Sequence, residues 1–229
     1  METKRVCVLI PAHNEGKHIG KIVSEIRKIV PSVFVVDDGS TDRTSEEAKK
    51  NGAVVIRHPQ CKGKGAALKT GFQHIANLQF DTIITMDGDG QHSVSDLPLF
   101  LETIEKNKRA GVIVGKRKII GTDMPLVRKL TNISMSLLIS FLAFQWIPDS
   151  QNGFRAIKRN VLQKIHLLTD HFETETEMLL RASWKGVKIS SIPVSTIYGS
   201  GKSKIRPGKD TVNFFLMLLK VILTIWKKK

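Results

Sequence analysis

Short runs of β-forming residues alternate with longer stretches of helical spacing through the first half of this chain, and no other feature restricts the fold as much. The runs are Val6–Pro11, Val33–Asp37, Val54–His58, Thr82–Met86 and Gly111–Gly115. Between them the spacing predicts helices over Gly16–Ile29, Thr41–Asn51, Gly65–Asn77 and Val94–Lys106, with Ser40 or Thr41 as the cap of the second. Strands that recur at such intervals join as a mainly parallel sheet flanked by helices, an α/β fold. In such sheets, ligands bind outside the carboxyl ends of the strands. Here the ends at Pro11, Asp37 and Met86 each run into a polar cluster, so those clusters should converge.

The second half is less regular. It predicts a long helix over Pro125–Ile147 with a wide apolar face, ending near Pro148. A turn and short strand (Asn152–Lys158), a helix (Thr174–Lys185), a strand (Lys188–Tyr198) and a Gly/Lys-rich loop (Gly199–Lys209) follow. Residues 1–209 are thus expected to form one domain. The apolar tail over 210–229, a helix at Thr211–Trp226 closed by Lys227–Lys229, would extend about 24 Å, short of a ~30 Å bilayer core. An amphipathic helix lying in the membrane interface, anchored by Trp226 and the terminal lysines, suits it better than a span; packing on the domain is the other outcome.

Charge narrows the partners. With 36 Lys and Arg against 21 Asp and Glu, the formal net charge is +15, which calls for an anionic partner. A nucleic-acid binder is permitted by charge, but no helix-turn-helix, zinc or aromatic RNA-binding signature accompanies it. Cys7 and Cys61 have no metal-ligand spacing and read as reduced thiols. The apolar run that stops at Pro11 is too short for a signal-peptide core, so a cytoplasmic protein, peripheral at the membrane face, is expected.

Chemistry concentrates in Asp87-Gly-Asp89-Gly-Gln91-His92. Two carboxylates one residue apart on a turn can both face a divalent ion and the diphosphate that it bridges. Asp87, Asp89 and the Gln91 carbonyl are oxygen ligands suited to Mg2+ or Mn2+, and Gly88 and Gly90 let the backbone approach closely. Pro11-Ala-His13-Asn-Glu15 and Asp37-Asp38-Gly-Ser end the first two strands, and the basic loop Lys62-Gly-Lys-Gly65 precedes the third helix. Singly, each reads as a turn or cap; together they outline a pocket for a base and ribose.

PAHNE, VVDDGSTD, KGKGAAL, MDGDGQH, GKR after a strand, DSQNGFRA, FETE and GKSK resemble the motif series of family 2 glycosyltransferases, closest to the dolichyl- and polyprenyl-phosphate sugar synthases. The resemblance runs to about Pro207 and implies a GT-A fold. It further implies that Pro11, His13, Glu15, Val36 and Asp38 contact the nucleoside. Asp87, Gly88 and Asp89 would face the donor diphosphate and ribose, with the metal on Asp89 and Gln91. Lys204 would reach the diphosphate, and Arg117 and Arg128 would hold phosphate. His13 stands where the family often has tyrosine, and Thr131, Asn132 and Ser134 compete for the place of a family serine.

The expected reaction moves a sugar, with inversion, from a GDP- or UDP-sugar to a polyprenyl or dolichyl phosphate or another lipid-linked acceptor. A phosphate acceptor needs arginines to hold it. A sugar-hydroxyl acceptor, as in cell-envelope polysaccharide assembly, needs a carboxylate base, for which Asp149 is the candidate; Asp149 equally suits orienting its loop or Arg155. Glu175 best matches the family's acidic position among Glu173, Glu175 and Glu177. A nucleotide-sugar-binding adaptor without turnover is the non-enzymatic alternative, against which the intact acidic motif argues. The apolar face of Ser136–Ile147 is a candidate guide for an isoprenoid chain, and Lys202, Lys204, Arg206 and Lys209 would rim an anionic membrane surface. A membrane-protein partner is plausible for a chain without clear spans.

Overall fold

The computed structural model describes residues 5–117, 126–195, 197 and 214–221, with the side chains of 126–128 excepted. Seven strands form one sheet: β1 (Val6–Ala12), β2 (Val33–Asp37), β3 (Val54–Arg57), β4 (Thr82–Thr85), β5 (Ala110–Arg117), β6 (Arg155–Lys158) and β7 (Lys188–Val194), in the order β3-β2-β1-β4-β6-β5-β7. Every neighbouring pair is parallel except those of β6, which runs antiparallel to both β4 and β5. The carboxyl ends of β1, β2, β4 and β5 therefore share one edge of the sheet.

Alternation along the strands feeds two cores. In β1, Cys7 and Leu9 face one side and Val8 and Ile10 the other. The first side is covered by α3 (Lys64–Ala76), α5 (Leu126–Ala143) and α7 (Glu173–Trp184); the second by α1 (Ile19–Arg27) and α4 (Leu97–Lys106). Burial pushes the Cys7 thiol up to about 12, as expected of an inert core residue. Two further helices are short, α2 (Thr44–Lys50) and α6 (Arg159–Leu162).

Several boundaries differ from expectation for local reasons. The α1 helix starts at Ile19, not Gly16, because Asn14 adopts a left-handed φ of 55° and residues 14–16 bond to the β2 loop. Ser40 and Thr41 do not cap α2; the Ser40 hydroxyl accepts the Asn14 amide at 2.9 Å, and the Thr41 amide donates to Asn14 Oδ1 at 2.9 Å. The α5 helix stops at Ala143, before Pro148, where Phe144 turns left-handed at φ 53° and Ser140 Oγ takes the Ile147 amide at 2.9 Å. Strand β7 ends at Val194, and the chain is then led past the acidic turn: the Ser195 amide donates to Asp96 at 2.7 Å and the Ile197 amide to the Gln91 carbonyl at 3.0 Å.

The helical segment 214–221 buries Phe214, Met217, Leu218 and Val221 in the first core, beside Ile139 and Ala143 of α5. This part of the tail packs on the domain, while Phe215, Leu216 and Leu219 stay exposed. No described helix is long and apolar enough to cross a membrane.

Candidate functional site

At the sheet's carboxyl edge the β1 and β2 clusters meet. Asp37 and Asp38 are both buried. Asp37 Oδ1 accepts the Ser40 amide at 2.9 Å and so shapes its own turn. Asp38 organises the basic loop: Oδ1 accepts the Lys62 amide at 2.9 Å and lies 2.7 Å from His58 Nδ1, while Oδ2 accepts the Gly63 amide at 2.8 Å. Burial alone would raise the Asp38 carboxyl, but the Lys62 amide, His58, the Gly63 amide and Cys61 together hold it below the usual carboxylate range. Gly63 must be glycine, since its φ is +107° and a Cβ there would meet His171 Nδ1 at 2.2 Å and the Asp170 carbonyl at 2.5 Å.

Around these carboxylates lie the other residues of the β1 end. His13 Nδ1 is 2.6 Å from the Asp38 carbonyl, Pro11 pairs with Val36 in the sheet register, and Glu15 is buried with its amide on Thr44 Oγ1. Val36 itself is enclosed in the first core with no exposed surface.

The MDGDGQH turn leaves β4 beside β1. Gly88 packs against Ala12 and Glu15, and Asp89 Oδ1 accepts the Gln91 amide at 3.0 Å. Asp87 is held between two side chains that the sequence reading did not pair with it. Lys64 Nζ lies 2.7 Å from its Oδ1, and His92 Nε2 lies 3.4 Å from its Oδ2. That His92 nitrogen is buried, and among the described residues it has no partner closer than this carboxylate. Lys64 also reaches Glu175 at 2.8 Å. Burial opposes both charges, yet Lys64 and then His92 hold the Asp87 carboxyl well below its usual range, and Asp87 and Glu175 push the Lys64 ammonium up.

The DSQNG loop closes the other side. Its buried Asp149 grips Arg117 with both oxygens, Nε to Oδ2 at 2.8 Å and Nη2 to Oδ1 at 2.9 Å, and also accepts the Arg117 amide at 3.1 Å. Both Asp149 oxygens therefore bond Arg117, and its charge also faces the buried Arg155. Arg155, fully buried, donates to the carbonyls of Asn152, Ser150 and Glu175 and so stiffens the same loop from below. Gly153 of this loop lies against Asp87, Glu175 and Lys64.

The described residues contain no group of three or more His, Cys, Asp or Glu able to hold a metal ion. What they offer is the hard-oxygen set of Asp87, Asp89 and Gln91, which fits an ion that takes its remaining ligands from a bound diphosphate, as Mg2+ commonly does. Lys204 and the Arg128 side chain lie outside the described residues, as do Lys202, Arg206 and Lys209.

With this geometry in place, the comparison with known proteins is decisive: the model of Glycosyl transferase family 2 matches residues 7–166. The chain belongs to family 2. Among similar members, a dolichyl-phosphate hexose transferase of Haloferax volcanii is 31% identical over 206 residues, which cover 88% of this chain and 87% of the relative. A UDP-N-acetylglucosamine–dolichyl-phosphate N-acetylglucosaminyltransferase of Methanococcus voltae is 30% identical over 220 residues, covering 86% of this chain and 88% of that one. Glucosyl-3-phosphoglycerate synthase from Mycobacterium tuberculosis, solved with Mg2+ and uridine diphosphate, matches with a TM-score of 0.76 at 18% identity, over 94% of this chain and 78% of that one. The chain is thus an enzyme, a family 2 glycosyltransferase with a GT-A fold, and it is similar to transferases that act on dolichyl phosphate in those archaea.

Most of the family motifs thus meet at one edge of the sheet: PAHNE, DDGS, KGKG, DGDGQH, DSQNG and FETE. Sequence reasoning missed what Lys64, His92 and Gly153 do there. A lysine between two glycines just ahead of a helix was a signal of close approach, but nothing local named Asp87 and Glu175 as its partners.

Proposed function

We propose that this enzyme transfers a sugar, with inversion, from a GDP- or UDP-sugar to a polyprenyl or dolichyl phosphate at a membrane surface, assisted by Mg2+ or Mn2+. The observation that carries this reading is the DSQNG loop. One end holds Arg117 on Asp149, and the other lies on Asp87, which brings a guanidinium to the same loop as the donor's acidic turn. The names of the relatives support the acceptor class.

In this scheme Pro11, His13, Glu15 and Asp38 border the nucleoside, while Asp87 and Gly88 face the ribose and diphosphate. Asp89 and Gln91, with Asp87, hold the ion. The ion, when bound, supplies positive charge to the departing diphosphate, and exclusion of water strengthens that effect. An oxygen of the acceptor phosphate attacks the anomeric carbon from the face opposite the diphosphate. The bond to the diphosphate breaks, and the nucleoside diphosphate leaves. A phosphate monoester has a second pKa near ~6 and is largely dianionic at neutral pH, so it needs no strong base. Arg117 and Arg128 hold it, and Lys204 steadies the diphosphate. The commitment of Asp149 to Arg117 favours this over a hydroxyl acceptor, because the hydroxyl reaction loses its candidate base.

The outer face of α5 supports a lipid partner. Leu130, Ile133, Leu137 and Phe141 recur at helical spacing and are exposed, and Phe144, exposed by 85%, and Trp146 lie just beyond the helix end. Ser136, Ile139 and Ala143 are buried on the inner face. A stripe of this size on a chain of net charge +15 suits an anionic bilayer and an isoprenoid tail.

The test is transfer of radiolabel from GDP- and UDP-sugars to a polyprenyl phosphate with Mn2+ present. The expected product is extractable into organic solvent and labile to mild acid, and Asp89→Ala should lower its formation by about 100-fold or more. Label appearing only on a sugar hydroxyl, in an acid-stable product, would reject the acceptor assignment.

A further inference from the structure

Lys64 is a cation built into the acidic turn. Its ammonium sits 2.7 Å from Asp87 and 2.8 Å from Glu175, and its side chain keeps only 17% of its surface exposed. Three features stop it from moving aside. Asp38 holds the amides of Lys62 and Gly63, so α3 begins from a fixed loop. Glu175 lies in the buried first turn of α7 and clasps the ammonium on its far side. Gly153 closes the gap so tightly that a Cβ there would come within 2.9 Å of Asp87 Oδ1, 2.9 Å of Glu175 Oε1 and 3.0 Å of Lys64 Nζ.

This arrangement has a consequence for any divalent ion. An ion approaching the turn alone meets Asp89, the Gln91 side-chain carbonyl, and an Asp87 already engaged by the Lys64 ammonium. Asp87 shares that ammonium with Glu175, while the buried Arg155 adds a second positive charge facing both carboxylates. Like charges repel across such distances, and that repulsion is large where water is scarce. Among the described residues no three His, Cys, Asp or Glu side chains make up the missing ligands. The oxygens of a nucleoside diphosphate would supply both the ligands and the negative charge.

We propose that Lys64 is a positioning residue that makes ion binding conditional on the nucleotide: by engaging Asp87, it keeps the ion site weak until a diphosphate arrives. This rests on the donor-site reading above. The ion and the donor then enter together, which guards the site against occupation by a metal alone.

The experiment measures Mn2+ affinity of the full chain from the electron paramagnetic resonance signal of free manganese, alone and with saturating GDP or UDP. Wild type should bind Mn2+ at least tenfold more tightly with one of the two nucleotides. Lys64→Met should bind nucleotide-free Mn2+ at least tenfold more tightly than wild type, which shrinks that ratio. Because Lys64→Met leaves Glu175 buried without its partner, the double variant Lys64→Met/Glu175→Gln is measured in parallel, with a thermal melt to confirm folding, and should show the same trend. An unchanged ratio in a folded variant, or a wild type that binds Mn2+ equally with and without nucleotide, would overturn the role of Lys64. Wild type that binds neither GDP nor UDP at any Mn2+ concentration would overturn the donor-site reading itself.

Discussion

Asp149 shows how one residue's partner changes its meaning. A carboxylate after a long helix reads as a base candidate, yet here it is fully buried and forms a two-point pair with Arg117. Breaking a buried pair from one side strands the other charge, at a cost of about 3–5 kcal/mol. Asp149→Ala should lose about 3 kcal/mol in urea denaturation, at the low end because Arg117 retains 19% of its side-chain exposure. A variant that is fully stable but inactive would return Asp149 to the role of a base. Asp38 carries a pH signature instead. Its carboxyl is depressed in the folded chain, against about 3.9 when unfolded, so its contribution is present in full above about pH 4 and fades as pH falls through the folded value. Asp38→Asn should lower stability at neutral pH and flatten the acid decline below about pH 4, read from denaturation midpoints across pH. An acid limb identical to wild type would place the sensitive carboxylates elsewhere.

At the scale of elements, α5 has two apolar faces with different roles. The inner face joins the core and is tied to the DSQNG loop through Ser136, whose Oγ accepts the Ser150 amide at 3.1 Å. On the outer face Phe141 is exposed by 74%, and Phe144, just past the helix end, by 85%. Replacing both with Gln should reduce flotation with anionic vesicles about tenfold or more, since each buried apolar ring contributes roughly 1.5–3 kcal/mol. Stability should change by no more than about 0.5 kcal/mol, as for other exposed positions. Undiminished flotation of the double variant would assign membrane contact to another element. The wide apolar face of this helix was legible from spacing. That half of it would be exposed among the described residues was not, because a hydrophobic period does not say which neighbours arrive.

For the whole molecule, the converging strand tips predict that ligand affinity appears as stability. A nucleotide-sugar at 100 times its dissociation constant adds about 2.7 kcal/mol. For a chain of this size that amounts to a rise of about 5–10 °C in melting temperature. GDP- or UDP-sugars with Mn2+ should produce this rise, and removing the metal with a chelator should abolish most of it. A flat melting profile across both nucleotide series would sink the donor assignment. The first five strands, their mainly parallel character, the acidic strand ends and the family were readable from the chain, because alternation and motif spacing are local properties; the order of the strands was not. By contrast, β6 lies antiparallel in the middle of the sheet, Lys64 bridges Asp87 and Glu175, and Asp149 holds Arg117. Each joins segments far apart in sequence, and only the path of the chain in three dimensions decides which side chain fills the space beside a given charge.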